Sequence, residues 1–548
     1  MSLGTDASTG SAGAIVTGDS STRELLSGGL VAVSFASFVV SLLAVAQYVP
    51  ADAAIGGVTL ATVLGGALAV VGLGVVALGA GSYAGAFETE PGQTGGLVSA
   101  AFVGALWFAV GGLVGAQTLG LSLTWPVLAV VTGGVGGGVA LLAREDLGVT
   151  LSTGLFVLLS GLVVLTGLVG PGWRWSPEGF SITVTAVVGI PVITLFAALV
   201  GAWTAARVYG GFGPQGRQLG AHMLIGTNAA GMLALLGSIV GFIVVRGFGP
   251  MTEGIKYGLY WGPWTWFNPP LVDTWVVVEG PIVWFYWPFV MEGYSTLGAG
   301  VDGVLPAIVG TVWLVAGAIV FAVPLGVGAA VFLTEYADKG RFTFLVEIST
   351  NGLWSTPSIV YGLFGLAFLV PRLGNTNSIL AGQLVLGFML LPLVVITSRE
   401  SLKSVPDEYR DASAALGVTK WETIKSVVLP ASLPGVITGI ILGVGRIAGE
   451  TAPILLVTTS SPFPSEVAGV VEGGFRFTSA FPFVAVPDVN LIQSSSALPY
   501  QLFAVIGAGL GENLDFAWGT ALVLLLVVMS FYAVGVASRI YFRRKLNQ

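Results

Sequence analysis

Long apolar runs alternate along this chain with short breaks rich in glycine, proline or charge. Runs of about 20 apolar residues are the length a helix needs to cross a bilayer. Twelve such helices are predicted. Six lie near 28–49, 56–80, 96–118, 124–143, 149–170 and 182–206. The other six lie near 221–246, 304–333, 346–370, 378–398, 433–458 and 517–541. The fourth carries the weakest helical signal, because Gly133 to Gly138 is almost all glycine. Loops among the first six are short. The second six are interrupted by two long segments, 247–303 and 460–515, and by the polar stretch 399–432.

That polar stretch reads as two short helices. Ser404 is a predicted cap, Pro406 suits a first turn, and Asp407 and Glu408 face the positive end of the helix dipole. Gly417 supplies a left-handed stop. Thr419 and Glu422 have capping-box spacing and begin a second helix, which Leu429-Pro430 is expected to end. Ala412, Ala414 and Ala415 leave one side of the first helix slim enough to seat in a groove. Trp421, Ile424 and Val428 recur at helical spacing and are expected to anchor the second. The plainer reading is an amphipathic hairpin on the membrane surface with no partner.

Composition agrees with a membrane protein. Of 548 residues 54% are hydrophobic and only 9% charged, and the mean hydropathy is +0.90. The 81 glycines suit helices that pack closely in lipid. There is no cysteine, which excludes disulfides and thiolate metal sites, and the single histidine, His222, cannot form a histidine metal centre. The net charge of −7 suits a protein held soluble in concentrated salt. Of the 21 Lys and Arg residues, only Arg174, Arg246, Lys256, Arg372 and Arg476 fall on alternate, outer segments, and Arg446 lies within an apolar run. The rest fall on the inner segments. The positive-inside rule therefore predicts both termini and the 399–432 loop in the cytoplasm. Residues 1–25, rich in Ser, Gly, Thr and Asp, lack the basic start of a secretory signal and are expected to be a disordered cytoplasmic tail. A boundary is predicted near 207–218, separating a six-helix region, 26–210, from a second region, 211–548.

Two features carry candidate chemistry. Arg446 and Glu450 are four apart in an apolar run, and Thr438 lies on roughly the same face. A charge at mid-bilayer costs about 2.5–3.5 kcal/mol, so such residues face a bundle interior or a pathway. Arg446 offers planar recognition of an oxyanion, which Glu450 would hold or release, while Gly439, Gly443, Gly445 and Gly449 would thin the helix to open a path. The alternative is a salt bridge that only fixes helix packing. The second feature is an aromatic cluster between Tyr257 and Trp287, read as an interfacial belt or, less simply, as a docking surface for a soluble protein. No Gly-rich Lys-Ser/Thr phosphate loop is present, so ATP hydrolysis is expected to reside elsewhere.

Asp411-Ala412-Ser413, Gly417 and Val427-x-Leu429-Pro430 resemble the coupling loop of binding-protein-dependent ABC importer permeases. Arg446-x-x-Gly449-Glu450-Thr451-Ala452-Pro453 resembles the PstA family of phosphate permeases, as do the stretches at 305–311, 335–337, 357–364 and 498–501. The resemblance spans about 219–548. It implies an all-α integral membrane protein whose last six helices form a MetI-like permease domain. Glu408, Asp411, Ala412, Ala415, Leu416 and Gly417 would then meet an ATPase, and Arg446, Glu450, Thr451 and Thr438 would line the pathway. It further implies a PstC-like permease, a PstB-like ATPase dimer that binds ATP and Mg, and a PstS-like phosphate-binding protein. No nucleic-acid partner is expected. Another oxyanion (sulfate, molybdate or tungstate) and a twelve-helix secondary transporter are the alternatives. Residues 1–206 fall outside the resemblance.

Overall fold

The computed structural model describes residues 22–55, 57–177, 181–267, 276–294, 302–338, 340–458, 461–477, 485–507 and 514–546. The predicted tail lies outside them except for its last four residues, which open the first helix. The chain divides into two compact units, Met1–Val240 and Gly241–Gln548. Among the described residues eleven helices are long and apolar enough to cross a membrane, or twelve if one bent pair is counted as a single span.

The first unit comprises α1 (Thr22–Val45), the short strands β1 (Ala54–Ile55) and β2 (Val58–Thr59), α2 (Leu60–Tyr83), α3 (Leu97–Leu113, extended by a π turn to Thr118), α4 (Trp125–Leu142), α5 (Glu145–Leu165), the strands β3 (Arg174–Trp175) and β4 (Val184–Thr185), α6 (Ala186–Tyr209) and the start of α7 (Gly213–Thr252). Helices pair as α1 with α6, α2 with α5 and α3 with α4. Glycine makes these pairs close. A Cβ on Gly161 would lie 2.6 Å from the Gly65 carbonyl, and one on Gly72 would overlap the backbone of Leu158, so α2 and α5 touch backbone to backbone. The same device rescues the weakly signalled α4. Gly133 and Gly137 rest on Gly104 of α3, and Gly136 lies beneath Trp107. The turn Gly211-Phe212-Gly213 has positive φ throughout and falls where a boundary is predicted. Packing divides the chain later, inside α7, because the first part of that helix belongs to the first unit.

Buried charge also holds this unit. Glu145, fully buried at the start of α5, forms an ion pair with the buried Arg207 of α6 and another, at 3.1 Å, with Arg217 of α7. It also accepts the backbone N–H groups of Gly92 and Gly213 at 2.8 and 3.1 Å, while Arg207 donates to Ser99 Oγ at 2.7 Å. Four acceptor contacts on one carboxylate offset its desolvation and tie four segments together.

The second unit begins late in α7. It continues through strands β5 (Lys256–Phe267) and β6 (Val276–Tyr286), α8 (Pro288–Met291) and α9 (Leu305–Val331, extended by a π turn to Tyr336). The bent pair follows, α10 (Arg341–Ser355) and α11 (Ser358–Phe364, prolonged by further turns to Arg372), meeting at 101°. Next come α12 (Ile379–Lys403), α13 (Asp407–Ala415), α14 (Lys420–Thr423), a π turn (Ile424–Val428) and α15 (Leu429–Ala448). The unit ends with α16 (Ala452–Val457), strands β7 (Val471–Phe477) and β8 (Ala485–Val489), α17 (Leu498–Gly507) and α18 (Leu514–Leu546). Its core packs α12 between α9 and α15, with Leu314, Val315, Leu386, Leu390, Val444 and Ile447 all buried. The predicted span 346–370 is thus not straight. Thr356-Pro357 breaks it, since the residue before proline avoids the helical region and Pro357 lacks a donor.

Glu145→Gln keeps shape and removes the charge that Arg207 faces. Breaking a buried pair costs about 3–5 kcal/mol. We expect a lower melting temperature and faster proteolysis of the 84–96 loop in the purified protein; an unchanged melting curve would contradict the role given to this network.

Candidate functional site

Two constellations in the second unit bring the candidate residues together. The first is the loop between α12 and α15. Helix α13 begins at Asp407 with Pro406 as its N-cap. Ser404 is not that cap. It closes α12 and gives its hydroxyl to the Ser401 carbonyl at 2.7 Å. Gly417, at φ +72°, makes the left-handed stop that the sequence predicts. Thr419 caps α14, accepting the Glu422 N–H at 3.4 Å and donating its hydroxyl to Glu422 Oε2 at 3.0 Å. The second helix does not end at Leu429-Pro430. It runs from Lys420 to Ala448, because the π turn at 424–428 widens the coil ahead of Pro430, and proline is tolerated in the first turn beyond it.

Ile424 and Val428 are buried as expected, and Val428 packs with Ala330, Leu402 and Val405. Trp421 is not an anchor: it is 59% exposed. It stands instead with exposed Tyr409, Leu416 and Val418 on the outer side of the loop, beside exposed Glu408, Asp411, Ala412 and Ala415. The face of the loop turned away from the helices is therefore largely small or apolar.

What holds α13 is a residue that the motif does not include. Arg410 donates to Glu335 Oε1 at 2.8 Å, to the Val405 and Leu402 carbonyls at 2.8 and 3.0 Å, and to Asp407 Oδ1 at 3.2 Å. These bonds, chiefly those to Glu335, hold the Arg410 guanidinium above its ordinary pKa. Glu335 sits in the π turn that ends α9, and its side chain is 7% exposed. One guanidinium thus joins α13 to the ends of both α9 and α12. A cavity of about 930 Å³ opens beside this joint, lined among others by Glu347, Arg399 and Lys420. Glu347 and Arg399 form an ion pair that links α10 to α12, and the Lys420 ammonium lies over the Tyr336 ring at 5.2 Å. The sequence signal for Arg410 is Glu335, a carboxylate at the end of an apolar run, which requires a cation.

The second constellation is at the far end of α15. Arg446 lies in the last turn, where a cation suits the helix dipole, and α15 stops at Gly449. Glu450 and Thr451 therefore occupy a break before α16 and not the middle of a helix. Arg446 Nε and Glu450 Oε1 are 3.7 Å apart, and both side chains are partly exposed. The Arg446 guanidinium lies over the Trp354 ring at 4.2 Å, beside the bend between α10 and α11. Thr438 does not join this group: its hydroxyl donates to the Pro434 carbonyl at 2.8 Å. The glycines of α15 open no path. A Cβ on Gly439 would strike Thr397, one on Gly443 Leu390 and one on Gly445 Tyr532, so they serve close packing against α12 and α18.

A bundle of membrane-spanning helices with a helical loop clamped to the ends of its central spans is the architecture of a membrane permease. The chain matches the family described as binding-protein-dependent transport system inner membrane component over residues 322–548. It is 30% identical over 259 residues to "Probable ABC transporter permease protein YqgI" of Bacillus subtilis, covering 47% of this chain and 84% of that protein. It is 32% identical to "Phosphate transport system permease protein PstA" of Yersinia pestis, over 46% of this chain and 75% of that one. It is 38% identical to "Phosphate transport system permease protein PstA 1" of Mycobacterium tuberculosis, over 34% and 65% respectively. A solved structure of the MetNI methionine ABC transporter is a distant likeness, with a TM-score of 0.33 and 16% identity over 44% of this chain and 94% of its own. The chain belongs to the family of PstA-like ABC importer permeases.

Charge-assisted hydrogen bonds contribute about 1.5–3 kcal/mol each, and 1.4 kcal/mol is a factor of ten. We therefore expect Arg410→Leu to speed amide exchange across 407–416 by at least about tenfold, with α12 unaffected. Unchanged exchange would mean that the loop is held by something else.

Proposed function

We propose that this chain is the permease subunit of an ATP-driven phosphate importer. The observation that carries the reading is the group Trp354, Arg446 and Glu450, which offers a cation where two helices break. Among the described residues, Arg446 makes a long ion pair with Glu450 and lies over the Trp354 ring. A guanidinium held by one face and one long contact can turn its N–H groups to an arriving oxyanion, with Glu450 as the competitor that lets the anion go. The names of the Yersinia and Mycobacterium relatives favour phosphate as that anion.

In this reading a separate ATPase pair binds ATP and Mg and seats α13 in a groove, with Ala412, Ala415, Leu416 and Gly417 against it and Glu408 and Asp411 at its rim. Closure of the ATPase moves α13, and Arg410 passes the motion to α9 and α12. Thr451, at the start of α16, lies one residue from Glu450 and completes the lining. A PstC-like permease supplies the other half of the pathway and a PstS-like binding protein delivers the anion. The charge asymmetry of the loops favours α13 and both termini on the cytoplasmic side of the cell membrane.

The test is labelled phosphate uptake by phosphate-starved cells lacking this gene, with and without its restoration. We expect restoration to recover uptake that sulfate and molybdate do not compete. Arg446→Ala is expected to abolish uptake while the subunits still co-purify, and Gly417→Pro to lose the ATPase from the purified complex. Uptake unaffected by loss of the gene would overturn the phosphate reading, and loss of assembly in Arg446→Ala would assign that residue to packing alone.

A further inference from the structure

The long segment after α7 is not a loop between helices but a ribbon. Strands β5 and β6 pair antiparallel, with Tyr257 opposite Phe285, Leu259 opposite Val283 and Trp261 opposite Pro281. Side chains on a strand alternate between faces, so this register sorts the aromatics into two sets.

One face covers itself. Trp284 lies over Gly258, Tyr260 over Gly262 and Trp264 over Gly280, and the Trp264 indole N–H donates to the Pro281 carbonyl at 3.2 Å. These rings hide the ribbon's backbone and keep exposures of 40% to 62%, lower on the whole than those of the opposite face. The other face has no such cover. Tyr257, Leu259, Trp261, Val283 and Phe285 stand together with exposures from 51% to 81%. No charge lies among these five: on the two strands Lys256 is at the root on the opposite face, and Glu279, paired with Pro263, is on this face but beyond Trp261 and Pro281, toward the tip.

The root fixes where this face lies. β5 starts just past the end of α7, and β6 runs into Trp287, whose indole donates to the Met251 carbonyl at 2.6 Å. Met251, Phe289 and Phe516 pack together there, joining the end of α7 to the start of α18, both of them candidate spans. The ribbon therefore leaves the protein at the level where membrane helices end. Its strands reach roughly 35–40 Å at about 3.3 Å per residue. A face of tyrosine, tryptophan and aliphatic residues at that level matches the bilayer interface, where an aromatic ring has an apolar body and a polar tip to satisfy. A lone two-stranded ribbon is also marginal in water, so a supporting surface is required.

We propose that the β5–β6 ribbon lies along the membrane surface with Tyr257, Leu259, Trp261, Val283 and Phe285 in the lipid interface. It acts as a lateral foot that fixes the tilt of α7 and α18. The inference does not depend on the substrate of the importer.

The absence of cysteine makes the test direct. Single substitutions Leu259→Cys and Val283→Cys on the bare face, and Tyr260→Cys on the covered one, are labelled with an environment-sensitive fluorophore in the full chain and placed in bilayer nanodiscs. Labels at 259 and 283 are expected to emit to the blue and to be quenched by nitroxide lipids several-fold more than the label at 260. Aqueous iodide should spare them. Labels at 259 and 283 as open to iodide as the one at 260 would overturn the proposal. So would labels shielded from iodide but out of reach of the lipid nitroxides, because protein would then cover the face.

Discussion

A carboxylate at the end of an apolar span cannot stand alone, and the fit of Arg410 against Glu335 is what the rest of the second unit depends on. The pair is short, mostly hidden and reinforced by two backbone carbonyls. Without it α13 would be a nine-residue helix with one buried side chain, far too short to hold its place by itself. With it, the exposed loop becomes part of the same body as α9 and α12. The first unit obeys the same rule independently, with Glu145 as the shared carboxylate. Arg446 is the exception. Its pair is long and its other contact is a ring.

Close packing and broken helices divide the labour. Where glycine faces glycine or a neighbouring side chain, as between α2 and α5 or along α15, helices lock with little room for movement. At Thr356-Pro357 the chain bends by 101°, and at Gly449 a helix stops. The break at Thr356-Pro357 and the stop at Gly449 both lie beside Arg446, and the π turns at 332–336 and 424–428 both lie beside the α13 joint. Four irregular points in the second unit thus lie beside its two charge constellations.

Much of this was legible in the sequence. Eleven of the twelve apolar runs fall on helices long and apolar enough to span, and the twelfth, 346–370, falls on the pair bent by 101°. The left-handed Gly417 and the Thr419 cap follow from local geometry and appear where expected. Errors arose where a distant partner decides. Proline predicts a helix end after Leu429, but the preceding π turn absorbs it. Helical spacing predicts Trp421 inward with Ile424, but α13 leaves that side open. Spacing of four places Arg446 and Glu450 on one helix face, but the helix stops between them. Arg410 and Trp354 carried no motif at all, since their importance comes from Glu335 and Arg446, each distant in sequence.

If the Arg410–Glu335 pair clamps the loop, α13 and the end of α9 move as one body in the proposed importer. With no native cysteine to remove, spin labels at Asp338→Cys and Ala415→Cys report the distance between them in the reconstituted importer, with and without ATP. The account predicts one unchanged distance distribution in the otherwise native protein and a broadened, ATP-dependent one once Glu335→Gln is added. A distance that shifts with ATP while the Arg410–Glu335 pair is intact would contradict it.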